Sequence, residues 1–256
     1  MLSPGSIPKK TRNRSIILVG NKTQEMLSIS LLLQRFDYEV ATTHTAGQAL
    51  EQLSTVLPAI IITDMTLPGM SGTDLFQLLK QSRRTAAIPV VFLVPLSDAA
   101  SERRCIDLGA AGYISKPVQA EDLYRTVQAT IEPVPRADIR IDARVPVSVN
   151  TVSIPSPDGN LEIDLSERGM YLPMNNPLPK SRRLNIQMQI KNRTISVEGA
   201  VLHSHTPGEQ SYKGPGMGLK FTRISPQDRD FIRSYIREEV NRDIKIALAK
   251  EPEYTR

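Results

Sequence analysis

A single cysteine, Cys105, stands in 256 residues. One thiol cannot build an internal disulfide framework, and it fits a reducing compartment. Long hydrophobic runs are also missing: the longest, "PAIII" at 58–62 and "IPVVFLVP" at 88–95, are too short to span a bilayer. The first residues, "MLSPGSIPKKTRNR", lack the apolar segment of a secretory signal, so a cytoplasmic location without membrane insertion is expected. Strong charge of one sign is absent too. The formal charge is +5, with 13 Lys/Arg against 12 Asp/Glu in residues 1–135 and 19 against 15 in residues 136–256. That modest excess in the second half suits an anionic ligand and argues against nucleic acid as a partner. Histidines number 3, and His203 and His205 have no cysteine or carboxylate cluster beside them, so they read as hairpin surface and no metal site is expected. No nucleophile with a paired base is visible, so an enzyme is not expected.

What is present is the composition of a globular protein, 40% hydrophobic and 23% charged, long enough for two domains. After a flexible segment, 1–14, short aliphatic runs alternate with amphipathic stretches: "SIILVG", "YEVATT", "AIIITD", "VVFLV" and "AGYISK" are each followed by a helical pattern. Nearly continuous aliphatic strands between helices predict an α/β doubly wound, five-stranded parallel sheet over 15–132, with its ligand rim at the carboxyl ends of the strands. The seam "EPVPRADIR" ends this pattern, and 133–144 is expected to be a linker. From Val145 on, strand-like runs follow one another with only turns between them, then a 26-residue stretch opens on Ser225 with acidic residues in its first turn. Over 145–256 this predicts a small antiparallel β-barrel with a long C-terminal helix, whose apolar stripe is Phe231, Ile232, Tyr235, Ile236, Val240, Ile244 and Leu248.

Two stretches of the first half carry chemistry: "IIITDMTLPGMSG", with Asp64 ending the third strand, and "GAAGYISKPV", with Lys116 and Pro117 after the fifth. On these the first half resembles a response-regulator receiver domain. The resemblance implies a phosphoryl-accepting aspartate at Asp64, a lysine at Lys116 that contacts phosphoryl oxygens, an aromatic at Tyr113 that changes exposure with activation, and a magnesium ion held by Asp64 and an acidic pair after the first strand. This chain departs at two places. "ILVGNKTQ" puts Gly20 and Asn21 where the acidic pair belongs, and one carboxylate alone repels a phosphodonor more than it holds Mg²⁺. "VVFLVPLSD" puts Val94 and Pro95 where a hydroxyl would bond the phosphoryl oxygen, and neither side chain can donate. Ser97 and Asp98 lie in the following loop, where they could compensate or, for Asp98, cap the next helix. Asp64 and Lys116 are therefore expected to persist as a structural ion pair in a degenerate phosphoacceptor site. Weak phosphorylation is the alternative.

In the second half, "RIDAR" places Arg140 and Arg144 four apart on what is expected to be an irregular approach to the barrel, and "DLSERG" supplies Asp164, Ser166 and Gly169. Arginine forks onto phosphate or a guanine O6/N7 edge and stacks on bases. Asp164 can accept from guanine nitrogens, Ser166 can bond phosphate or neighbouring backbone, and Gly169 permits close approach. On these two patterns the second half resembles a PilZ domain, which implies cyclic di-GMP as the ligand. Arg136 continues the spacing by one step and could stack on a second ligand molecule. Arg168 falls in the variable part of the motif and is expected to be exposed. "GPGMG" at 214–218 is not a phosphate loop, because it lacks the Lys-Ser/Thr end and leads into a strand.

The combined expectation is a cyclic di-GMP receptor and adaptor with no cofactor, in which ligand binding orders the linker and changes contacts with a signalling or motility-related protein, homodimerisation included among the options. A phosphorylation-regulated response regulator with PilZ output, and a purely structural interaction module, are the alternatives.

Overall fold

The structure is a computed structural model that describes residues 14–96, 98–133, 135–136, 138–209 and 214–250, with residues 243–250 described by backbone only. Ser97, 1–13 of the N-terminal segment, and the side chains of Ile244 and Leu248 lie outside the described residues. The chain divides into two compact units, one of residues 1–137 together with 240–256 and the other of residues 138–239.

In the first unit five parallel strands, β1 (Ser15–Val19), β2 (Glu39–Thr43), β3 (Ile60–Asp64), β4 (Val90–Val94) and β5 (Gly112–Ser115), take the order β2-β1-β3-β4-β5. β3 and β4 are buried along their whole length, which is why their sequences do not alternate; β2 is an edge and mostly exposed. The intervening helices are α1 (Thr23–Arg35), α2 (Ala46–Thr55), α3 (Gly72–Gln81), α4 (Ala99–Leu108) and α5 (Ala120–Ile131). α3 starts on a capping box, in which the Ser71 side chain accepts from Asp74 N–H and Asp74 accepts from Ser71 N–H. Asp98 caps α4 by accepting from Ser101 N–H at 3.0 Å, which commits that carboxylate to the helix end. The strand order reverses between β1 and β3, so the crevice at their carboxyl ends lies between Gly20 and Asp64, the switch point where ligands of such sheets bind.

The second unit is an eight-stranded antiparallel sheet ordered β6-β9-β10-β13-β12-β11-β7-β8. Its strands are β6 (Arg140–Val145), β7 (Val147–Val149), β8 (Val152–Ser153), β9 (Leu161–Ser166), β10 (Gly169–Pro173), β11 (Arg183–Ile190), β12 (Arg193–His205) and β13 (Gly216–Arg223). β6 and β7 pair near opposite ends of this order, yet only Pro146 separates them. The sheet therefore curls until its two sides meet, and Pro146 is the corner. Ile141, Ala143 and Val145 of β6 point inward with Ile163, Leu165, Leu184, Ile186, Met188 and Leu219 to fill the interior.

Helix α6 (Pro226–Lys250) follows β13. Ser225 caps it by accepting from Asp228 N–H at 3.0 Å, and Ile232, Ile236 and Val240 are buried while Phe231 and Tyr235 are half-buried. Arg193 Nη2 to Asp228 Oδ1 at 2.8 Å and Lys191 Nζ to Glu238 Oε2 at 2.6 Å bind the helix to β12 and its hairpin turn.

One expectation needs correction. The stretch carrying Arg140 and Arg144 is not an irregular approach but strand β6, paired antiparallel to β9. The reason is the alternation Arg-Ile-Asp-Ala-Arg-Val, which buries every second residue against the barrel interior.

Candidate functional site

At the rim of the first unit, Lys116 Nζ stands 2.5 Å from Asp64 Oδ1 and donates to Glu25 Oε2 at 2.8 Å. Glu25 comes from the first turn of α1, and sequence reasoning missed it: nothing but an acid in a helix start marks it. The ammonium thus bridges two carboxylates. Burial raises the Asp64 carboxyl above its ordinary value, against the Lys116 hydrogen bond and charge, and the Glu25 charge pushes the same way as burial. Despite its own burial, Lys116 is held above its ordinary value by Asp64 and Glu25.

The residues present do not fit a magnesium ion. A Cβ at Gly20 would lie 2.5 Å from Met26 Sδ and 3.0 Å from Asp64 Oδ2, so a buried thioether fills the place where a metal-binding side chain would start. Glu25 faces a lysine, and among the described residues no group of three His, Cys, Asp or Glu could hold a metal. Val94 is fully buried and offers no hydroxyl. Tyr113 OH donates to Glu102 Oε2 of α4 at 3.1 Å, and that carboxylate raises the phenol above its ordinary value.

In the second unit the register builds a different surface. Arg140 lies opposite Ser166, Asp142 opposite Asp164 and Arg144 opposite Glu162, so the outward side chains of β6 share one face with the Asp-Ser-Gly element of β9. Arg140 Nη1 is 3.5 Å from Asp164 Oδ2, and Asp164 and Ser166 are buried whereas Arg140 and Arg144 are exposed. Arg144 Nη2 lies 2.6 Å from Asp158 Oδ2.

Ser166 Oγ donates to the Gly169 carbonyl at 2.9 Å and closes the β9–β10 turn. Gly169 has a packing reason of its own: a Cβ there would overlap the backbone carbonyl of Leu219 on β13. Arg168 is exposed as expected but is not idle, since Nε donates to Asp138 Oδ2 at 2.7 Å. Glu167 of the same turn receives both arms of Arg233 from α6, at 2.9 and 2.7 Å, and sits below its ordinary carboxyl value because of that hydrogen bond. Arg136 falls in the first unit, where its N–H donates to Gln128 Oε1 at 3.1 Å, and Gln128 in turn donates to Tyr38 OH at 2.9 Å.

A parallel sheet with an aspartate–lysine rim, joined to an antiparallel barrel with arginines across from an Asp-x-Ser-x-x-Gly turn, defines a two-module signalling protein. Residues 16–128 match the response regulator receiver domain and residues 135–238 match the PilZ domain. The chain belongs to the response regulators, as a receiver domain followed by a PilZ domain. The two-component response regulator ORR3 of Oryza sativa subsp. indica is 33% identical over 117 residues, which cover 45% of this chain and 89% of that protein. Protein PilH of Pseudomonas aeruginosa is 24% identical over 116 residues, covering 45% of this chain and 96% of PilH. The chemotaxis response regulator CheY4 of Vibrio cholerae aligns at 23% identity with a TM-score of 0.44, over 46% of this chain and 99% of that one. Both modules are signalling and adaptor domains and not enzymes, and PilZ domains are a recognised receptor family for cyclic di-GMP. No described helix is long and apolar enough to cross a membrane.

Proposed function

We propose that this protein is a cyclic di-GMP receptor and adaptor whose receiver domain is not phosphorylated. Nucleotide is held at the PilZ face by Arg140, Arg144, Asp164 and Ser166, with Gly169 shaping the turn and Arg136 joining from the segment before β6. Binding changes the arrangement of the two domains and, through it, contacts with a signalling or motility-related protein partner. The single observation that carries this reading is the β6–β9 register, which sets two arginines on the same face as the buried Asp164 and Ser166. Two guanidinium forks suit phosphodiesters and guanine edges, and a buried carboxylate suits guanine N1 and N2.

Support for an unphosphorylated receiver comes from the crowded rim: Met26 stands against Gly20, and Lys116 already has Asp64 and Glu25 as partners.

Calorimetry of the full chain with cyclic di-GMP tests the proposal. Arg144→Ala and Asp164→Ala should each weaken binding by about 10- to 100-fold, the range for losing a hydrogen bond to a charged group. Absence of heat with the unaltered protein would refute the receptor assignment.

A further inference from the structure

Five outward positions of the barrel fall in one cross-strand row: Asp142, Asp164, Tyr171, Gly218 and His203 lie opposite one another in turn. Two of them are aromatic rings that the ligand motifs do not include. Tyr171 and His203 stack with ring centroids 6.3 Å apart and planes inclined by 25°.

The stack depends on bare backbone beneath it. β13 passes under both rings and carries glycine at each outward position there. A Cβ at Gly218 would overlap the His203 imidazole, and one at Gly216 would stand 2.9 Å from Tyr171 Cε1. The glycines of "GPGMG" thus make a floor for two rings. A register shift between Val201 and His203 does the rest, because the extra residue Leu202 leaves His203, and not Leu202, opposite Gly218.

The two rings are held differently. Tyr171 is buried, and its OH donates to the Gly214 carbonyl at 2.6 Å. His203 is exposed. Although the residue as a whole is exposed, partial covering of the imidazole, then the charges of His205 and Arg140, hold it below its ordinary value, so it presents a neutral ring beside a cationic arginine.

From this we infer that His203, backed by Tyr171, is a stacking platform for one guanine base of the bound nucleotide, a recognition element in addition to the arginines and the Asp-Ser-Gly turn. The inference rests on the cyclic di-GMP site proposed above. A purine offers a flat π-face, and a neutral ring fixed by a second ring behind it loses little freedom on stacking. Arg140, whose charge reaches His203, stands on the same face to meet the base edge or the phosphate.

The test is calorimetry of cyclic di-GMP with the full chain, its His203→Ala and His203→Phe variants, and Arg144→Ala as the control for the site itself, with circular dichroism and thermal unfolding to confirm that each folds. His203→Ala should weaken binding by about tenfold, at the lower end of the range for losing one base–aromatic stack, and His203→Phe should stay within about threefold of the unaltered protein. Unchanged affinity in His203→Ala, alongside loss in Arg144→Ala, would overturn the platform and leave the site standing. Equal losses in the Ala and Phe variants would also overturn it, since a ring that stacks should substitute for a ring. No binding by the unaltered protein would overturn both the platform and the site.

Discussion

The thioether of Met26 occupies the volume that a side chain at Gly20 would need. Helix α1 thereby plugs the receiver crevice from within. Restoring an acid at position 20 alone should not restore phosphoryl chemistry, because the new side chain must first displace the Met26 thioether, Asn21 still supplies no second acid and Val94 no hydroxyl. Incubation with a small phosphodonor and Mg²⁺ should leave the unaltered protein and Gly20→Asp at their original mass. The triple variant Gly20→Asp, Asn21→Asp, Met26→Ala should gain one phosphoryl group in a metal-dependent way. Metal-dependent labelling of Asp64 in the unaltered protein would instead establish a phosphorylation-regulated regulator.

The Lys116 bridge predicts an asymmetry. Lys116→Ala leaves Asp64 buried without its cation and should cost about 3 kcal/mol in urea unfolding of the first transition. Asp64→Asn removes a carboxylate that burial already disfavours and leaves Lys116 with Glu25, so its cost should be smaller, about 1 kcal/mol. Costs that simply add in the double variant Lys116→Ala/Asp64→Asn would show that the two groups do not act as a pair.

Arg144 Nη2 stands 2.6 Å from Asp158 Oδ2, so on the proposed nucleotide face Asp158 would compete with an anionic ligand for that arginine. Both side chains are largely exposed, so the pair is weak, and Asp158→Ala should tighten cyclic di-GMP binding by only about two- to fivefold. A weakening would place Asp158 among the groups that orient Arg144 for the ligand.

Gly169 is the ligand-motif residue with the clearest structural duty. Gly169→Ala drives a methyl group into the Leu219 carbonyl, and the strained β10–β13 pairing should cost about 2 kcal/mol in thermal or chemical unfolding. Nucleotide binding should fall with stability and recover in part at low temperature. Lost binding at full stability would give Gly169 a direct ligand role.

Arg233 and Glu167 fasten α6 to the β9–β10 turn through two parallel hydrogen bonds. Glu167 is depressed in the folded protein by Arg233, so its contribution is present above the unfolded carboxyl value and fades as pH falls through the folded one. Arg233→Ala should lower stability by about 1 kcal/mol at pH 7, and the difference from the unaltered protein should shrink below roughly pH 4.

Much of this architecture is legible in the chain. Unbroken aliphatic runs such as Ile60–Ile62 marked the buried parallel strands, and the paired Arg and Asp-Ser-Gly patterns marked the barrel face. The misreading at Arg140–Val145 came from weighing two arginines and two prolines over a six-residue alternation whose inward members, Ile141, Ala143 and Val145, are modest in size. Glu25, Met26 and Tyr171 carry no signal in the sequence, and His203 reads there only as hairpin surface, for another reason. Each matters through a partner brought close by the fold: Lys116 for Glu25, Gly20 for Met26, Gly216 for Tyr171, and Tyr171 with Gly218 for His203. The bulge at Leu202 reverses which face His203 takes, and no period-two count across β12 would have found it.

The corner at Pro146 has a practical consequence for dividing the protein. Since β6 both bears the arginines and closes the curl, a cut made after Arg144 to isolate the barrel would strip β9 of a neighbour and leave Leu161–Ser166 as a raw edge. Such an edge invites pairing with a second chain. A barrel fragment that starts near Asp138 keeps the strand, the Asp138–Arg168 pair and the proposed nucleotide face together; one that starts at Pro146 should aggregate before it can be tested for binding.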